Sequence, residues 1–303
     1  MKKNLLIKTT GKIQLPLKTL KEKYTINPFS IFRADTGEWI KHKREWESIL
    51  QDRANNVRDL GVRNNTPYIN NFEKEDFKGA KSPNAGMIST FDPFLCEILI
   101  KWFTDEDAVI LDPFAGGIVR GAVSSILNRK YIGIDINEKQ IAHNKEQWTE
   151  LSEKYAVDKS PQYILGDSEE VLHTVKIDDC DLVLSCPPYY NLERYTKELE
   201  DLSNKSSYAD FINKYKCVLD CCYKRLKPEG FMILVVEEIR DTKGVFYGFV
   251  PDTIKICQEI GLSYYNECIL MNPIASLGIR CTKYFESSRK IGRHHQNILI
   301  FKK

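Results

Sequence analysis

Four short stretches of this sequence hold residues whose types and spacing could do chemistry together. The first is Asp112-Pro113-Phe114-Ala115-Gly116-Gly117, which follows the apolar run AVILD (108–112) and precedes a helical pattern. Glycine at a strand-to-helix turn opens backbone conformations closed to other residues and lets a ligand approach the main chain. The second is Asp135, which closes the run YIGID (131–135); an acid at such a strand end can accept from the hydroxyl pair of a ribose. The third is Gly166-Asp167-Ser168, after YIL (163–165). Three successive strand ends thus carry acids or glycines on the edge where open α/β sheets bind ligands. A nicotinamide dehydrogenase could show the first two features, but its fingerprint is GxGxxG and this turn reads DPFAGG. Each acid taken alone could equally cap a helix.

The fourth stretch is Cys186-Pro187-Pro188-Tyr189-Tyr190, directly after LVLS (182–185). Two prolines cannot continue a sheet, because neither offers an N–H and each fixes its φ. They stiffen a loop that projects the Pro187 carbonyl and sets an aromatic face, Tyr189, beside it. A planar base bearing an NH2 group suits that pair: the ring stacks on Tyr189 while the carbonyl accepts an amino hydrogen. An exocyclic amine is a poor nucleophile because its lone pair is delocalised into the ring. Acceptors that pull it toward tetrahedral geometry localise the pair and aim it, so catalysis comes from positioning and electrostatics.

The elements that must hold these stretches alternate in kind. Besides the four runs named, FMILVV (231–236), SYYNECILM (263–271) and NILIF (297–301) read as strands, seven in all, and helical patterns fall at 118–128, 137–154, 168–174, 206–226 and 251–260. Alternation of this kind predicts an α/β fold with a mainly parallel sheet. Between the last two strands no crossover helix fits, so a hairpin-like return through 272–296 is expected, with one antiparallel strand at the sheet edge. Before residue 89 the chain is polar and Asn-rich, with a dense KHKREWES block. The expected division is an N-terminal extension over 1–88, which could contact DNA, and one catalytic domain over 89–303.

Of the 303 residues, 42% are hydrophobic and 28% charged, enough for a sizeable core. The net charge of +2 conceals +6 over residues 1–50, +6 over 271–303 and −10 between them. Basic ends around an acidic centre predict a ligand-handling core flanked by segments that meet a polyanion. Candidate phosphate contacts are Lys41, Lys43 and Arg44 between Trp39 and Trp46, and Arg289, Lys290 and Arg293 near the end. The nine cysteines form no CxxC pair, which predicts reduced thiols in a cytoplasmic protein and no metal. No apolar run reaches the length of a membrane span or signal peptide.

In their order, DPFAGG, the GID of 133–135, GDS and the PPY loop resemble the DNA amino-methyltransferases, most closely the phage and prophage N-4/N-6 type. Further similarity lies in Trp39 and Trp46 around KHKRE, FDPFLCEILIKWF, RGAV (120–123), CPPYYNLERY and RKIGRHHQNILIF, so the resemblance covers roughly residues 27–303. It implies a class I methyltransferase Rossmann-like fold plus the N-terminal extension, S-adenosylmethionine as cofactor and double-stranded DNA as partner, with a homodimer open. It places Thr90 and Phe91 over the methionine end of the cofactor, Asp112, Pro113, Phe114 and Gly116 near its methionine moiety, Asp135 on the ribose and Asp167 with Ser168 at the adenine. Cys186, Pro187, Pro188 and Tyr189 fall to the target base. The resemblance also suggests a phage or mobile-element origin and a role in protecting DNA from restriction.

One position departs from the pattern. The family's first loop residue is usually Asp, Asn or Ser, whereas a thiol such as Cys186 is a weak acceptor. Ser185 does not replace it, because successive residues of a strand point to opposite faces. The target then lies between adenine N6, slightly favoured, and cytosine N4. Alternative readings are an RNA or protein amide methyltransferase and a DNA-binding pseudoenzyme of weak activity.

Overall fold

The computed structural model describes residues 17–50, 90–190, 202, 205–274 and 277–303. Nine helices and eight strands lie within them: α1 (Leu17–Tyr24), β1 (Ile31–Arg33), α2 (Gly37–Leu50), α3 (Pro93–Phe103), β2 (Val109–Asp112), α4 (Val119–Ile126), β3 (Lys130–Asp135), α5 (Glu138–Tyr155), β4 (Gln162–Leu165), α6 (Ser168–Thr174), β5 (Cys180–Ser185), α7 (Tyr208–Arg225), β6 (Leu226–Val236), α8 (Phe249–Glu259), β7 (Ser263–Met271), α9 (Leu277–Ser288) and β8 (His295–Lys302).

One sheet of order β1-β7-β8-β6-β5-β2-β3-β4 runs through the molecule. The period of two along its strands sorts side chains onto two cores. Ile110, Leu182, Leu184, Ile233, Val235, Ile298 and Ile300 face one cluster, shared with α2, α3, α4 and α5. Leu111, Val183, Met232, Leu234, Leu299 and Phe301 face the other, under α6, α7 and α8. Helices on both faces of a sheet that is parallel at every pairing except those of β8 make the α/β fold with a mainly parallel sheet expected from the sequence.

Three details differ from the sequence-based expectation. The sheet has eight strands rather than seven, because Ile31–Arg33 adds parallel to β7, with Ile31 opposite Ile269. The antiparallel strand β8 lies not at the edge but between β6 and β7, and the outermost strands are β1 and β4. Three residues are too few to show a period of two. The return between β7 and β8 also contains a helix, α9.

Residues 25–50 share the sheet's own core. Trp39 and Trp46 of α2 are buried; the Trp46 indole donates to Glu97 of α3 at 2.6 Å, and Lys101 donates to the same carboxylate at 2.6 Å. The Trp39 indole donates to Asp92 at 3.2 Å, and His42 stacks on Phe94 with centroids 4.6 Å apart. The tryptophan face of the KHKREWES segment thus turns inward and its lysines outward. Ser89 and the rest of 51–89, on which the expected boundary at 88/89 depends, lie outside the described residues.

Glycine sets how closely α4 can lie on the sheet. At Gly121 an added Cβ would run into the Tyr163 hydroxyl and come within 3.1 Å of the Tyr131 ring. Gly121→Ala is expected to cost about 1–3 kcal/mol through overpacking, read as a lower midpoint in urea unfolding. An unchanged midpoint would mean that the tyrosines swing aside without loss.

Candidate active site

Parallel strands β2, β3, β4 and β5 end on one edge of the sheet, and the order reverses between β2 and β5, since β3 and β4 continue to one side and β6 to the other. Open α/β sheets bind ligands at such a switch point. The DPFAGG turn leaves β2 there and the CPPYY loop leaves β5 beside it.

Under the turn lies a buried polar hub. Asp112 is fully buried and accepts four hydrogen bonds: from Arg120 Nε at 2.6 Å and Tyr131 Oη at 2.8 Å on one oxygen, and from Ser185 Oγ at 2.6 Å and Phe114 N at 3.2 Å on the other. Arg120 also donates to the Phe114 and Ala115 carbonyls at 2.7 and 3.1 Å, and its guanidinium lies 4.8 Å from the Phe91 ring centre. Burial works against the Arg120 charge, yet the neighbouring Asp112, Tyr131 and Cys186 outweigh it and raise its pKa. Burial, reinforced by Asp112, raises the Tyr131 phenol well above its ordinary value, so it remains a donor. One carboxylate thereby fixes the DPFAGG turn, the segment carrying Phe91 and the last residue before Cys186.

Above the hub the turn opens outward. Gly116 adopts φ +51°, its N–H donates to Asp135 Oδ2 at 2.8 Å, and its carbonyl accepts from the buried Asn144 side chain at 2.7 Å. The other Asp135 oxygen accepts from Asn137 N at 2.8 Å, and Asp135 is half-buried. A Cβ added at Gly117 would meet nothing within 4 Å. Ser168 Oγ donates to the Pro113 carbonyl, joining the end of β4 to the turn. Asp167 caps α6 by accepting from Glu169 N at 2.8 Å and pairs with Lys214 at 2.9 Å. Burial opposes the Lys214 charge, but Glu169 and Asp167 hold its pKa above the ordinary value.

In the second loop Pro187 is buried and Pro188 and Tyr189 are half-buried. Tyr189 meets Phe249 edge-on at 6.2 Å, and its hydroxyl lies 3.8 Å from Cys186 Sγ. Ser185 points down to Asp112, while Cys186, one residue on, is half-exposed. Tyr190 turns the chain with φ +24° and is buried among Tyr208, Phe211 and Tyr247. The family-like residues that continue the loop from 191 lie outside the described residues.

The two basic candidate groups are not alike. Lys41 and Arg44 are exposed on α2, and Lys43 pairs with Asp92 at 3.2 Å. Arg289 is exposed against the Phe285 ring. Arg293 is held inside, donating to the His295 carbonyl at 3.1 Å and to Asn297 at 2.5 Å, with Glu237 at 3.7 Å. Arg120, Tyr131, Asn144, Ser185 and Lys214 escaped the sequence reading of the site. Only RGAV, as part of the family resemblance, pointed to the first of them. No group of three or more possible metal ligands occurs among the described residues, and none of their helices is long and apolar enough to cross a membrane.

A model of the N6/N4 methylase family, described as DNA methylase, matches residues 21–146. No curated protein matches. Among solved structures the chain is similar to TrmN from Thermus thermophilus, with 13% identity, a TM-score of 0.45 and coverage of 70% of this chain and 49% of that one. It is also similar to a TehB-like SAM-dependent methyltransferase from Corynebacterium glutamicum, with 16% identity, a TM-score of 0.41 and coverage of 68% and 85%. A second Thermus thermophilus protein, described as a DNA modification methylase, gives 23% identity, a TM-score of 0.34 and coverage of 46% and 50%. This chain thus spans about half the length of the first and third. Likenesses at this level carry no weight for substrate or chemistry.

Proposed function

Because residues 21–146 match the model of the N6/N4 DNA methylase family, we propose that this chain transfers a methyl group from S-adenosylmethionine to the exocyclic amine of a DNA base turned out of the duplex. The observation that carries this reading is the pairing, across the β2/β5 switch point, of a glycine turn braced by Asp135 with a proline-stiffened aromatic loop, both anchored on Asp112.

The residues fit the cofactor. Open space over Gly117, the positive φ of Gly116 and the half-buried carboxylate of Asp135 suit close backbone approach and a ribose diol. Phe114 and the capped end of α6 at Asp167 and Ser168 suit a planar heterocycle, and Thr90 and Phe91 suit the methionine end. When bound, S-adenosylmethionine supplies an electrophilic methyl carbon and takes the bonding electron pair back onto its sulfur. The protein's own part is placement. The Pro187 carbonyl accepts one amine hydrogen, Tyr189 stacks the base, and Cys186 sits where the family usually has a stronger acceptor. Adenine N6 is the favoured target, with cytosine N4 the alternative. The exposed cations Lys41, Arg44 and Arg289 face the phosphate backbone.

The test is transfer from labelled S-adenosylmethionine to unmodified duplex DNA, with nucleoside mass spectrometry of the product. N6-methyladenine or N4-methylcytosine is expected. Label appearing only in RNA or protein would move the substrate to those polymers. DNA binding without transfer would leave a pseudoenzyme. A Cys186→Ser variant, run alongside, is expected to transfer faster, because a hydroxyl accepts a hydrogen bond better than a thiol.

A further inference from the structure

Immediately after β6 the chain forms a short hairpin, residues 240–246, that has no part in the core or the cofactor site. Arg240 and Phe246 make an isolated antiparallel bridge. Asp241 N donates to the Val245 carbonyl at 2.8 Å, Gly244 N to the Asp241 carbonyl at 2.9 Å, and Val245 N to the Asp241 side chain at 2.8 Å. Arg240 Nη1 donates to the Gly244 carbonyl at 2.7 Å, and its guanidinium lies 3.7 Å from the Phe246 ring centre. Gly244 is buried at φ +84°, and an added Cβ would collide with the Lys290 side chain. Seven residues bound in this way form a stiff finger. Its returning arm nevertheless shows apolar surface to solvent, with Val245 62% and Phe246 44% exposed, and Lys243 at the turn is exposed as well.

The finger's position matters as much as its surface. The next residue, Tyr247, stacks on Tyr208 at 4.6 Å and meets Tyr190, the last residue of CPPYY, edge-on at 5.6 Å. Tyr208 is fixed by a hydrogen bond to Asp252 at 2.8 Å. Phe249, two residues further on, is the ring against Tyr189. The finger therefore springs from the same aromatic cluster that supports the base-receiving loop.

We propose that the 240–246 finger is an insertion element: Val245 and Phe246 enter the duplex beside the target base and fill the space that the extruded base leaves, while Lys243 meets a phosphate. This rests on the DNA reading above. Extruding a base gives up its stacking and pairing, and proteins that distort DNA insert apolar side chains between base steps. The basic neighbour matches the phosphate backbone, which a purely apolar contact to a second protein would not require.

The test first locates the methylated position in plasmid DNA treated with the wild-type protein. Two short duplexes are then built around it, one fully paired and one with the target base opposite an abasic position, where extrusion is nearly free. The Val245→Ser, Phe246→Ser double variant is expected to lose at least about tenfold in methylation rate on the paired duplex and to regain most of it on the abasic one, since less extrusion energy is needed there. Equal loss on both duplexes, repeated by Val245→Ser alone, or no loss on either, overturns the proposal. A dimer of the wild type that dissociates in the variant would assign this apolar arm to a second copy and likewise overturn it. Absence of methylated base with the wild type removes the DNA reading, and the proposal with it.

Discussion

Replacing Arg120 by Ala is expected to lower the unfolding free energy by about 3–5 kcal/mol, the usual cost of breaking one side of a buried ion pair. The guanidinium and the Asp112 carboxylate are both buried and meet at 2.6 Å. Removing the cation strands the carboxylate, with only neutral donors, Tyr131, Ser185 and Phe114 N, around it. It also frees the Phe114 and Ala115 carbonyls and takes the charge from beneath Phe91. An Arg120→Met, Asp112→Asn double variant removes both charges and keeps much of the volume, so it should cost less than the single change, under about 2 kcal/mol. Urea denaturation of the three proteins decides the matter. A double variant at least as unstable as the single one would mean that the lost hydrogen bonds and packing, rather than a stranded charge, set the cost.

That hub was the part of the site least legible in the sequence, for a physical reason. DPFAGG, Asp135 and CPPYY announce themselves by residue types that are awkward anywhere except at a turn or a strand end. Arg120 sits in a helix where an arginine usually means solvent, and only the fold shows that its face of α4 packs over a buried acid. Asp112 was expected near the methionine end of the cofactor. Its four internal hydrogen bonds add the part of a brace for the turn, and Asp167 adds to its expected role that of helix cap and partner of Lys214.

The fold was legible wherever burial is one-sided. The patterns at 137–154, 168–174 and 206–226 fall on α5, α6 and α7 because an amphipathic stripe repeats every three to four residues. The segment FDPFLCEILIKWF shows the opposite case. Residues Pro93–Ile100 of α3 are all buried, between the sheet and α2, so no polar stripe marks the helix. In α2 the charges of KHKREWES dominated the reading, while the two tryptophans that tie it to α3 are spaced seven residues apart, two turns on one face. The eighth strand was hidden because its pairing partner, β7, lies more than two hundred residues away in the chain.

The CPPYY loop, proposed to receive the base, offers the sharpest functional prediction. Tyr189→Ala is expected to lower the rate of methyl transfer to DNA by roughly 5- to 150-fold, since stacking of a base on an aromatic side chain contributes about 1–3 kcal/mol. Tyr189→Phe should stay within about twofold of the wild type, because it keeps the ring and its edge-on contact with Phe249 and gives up a hydroxyl whose thiol neighbour is 3.8 Å away. The affinity for S-adenosylmethionine, measured by calorimetry without DNA, should change little in either variant. On the proposed reading Asp135 and the glycine turn, not the CPPYY loop, form the cofactor side. If Phe proved as damaging as Ala, the hydroxyl would be the working group and Tyr189 would act through Cys186. If Ala instead abolished cofactor binding, the ring would belong to the cofactor pocket, and the base would have to be held by Pro187 and Cys186 alone.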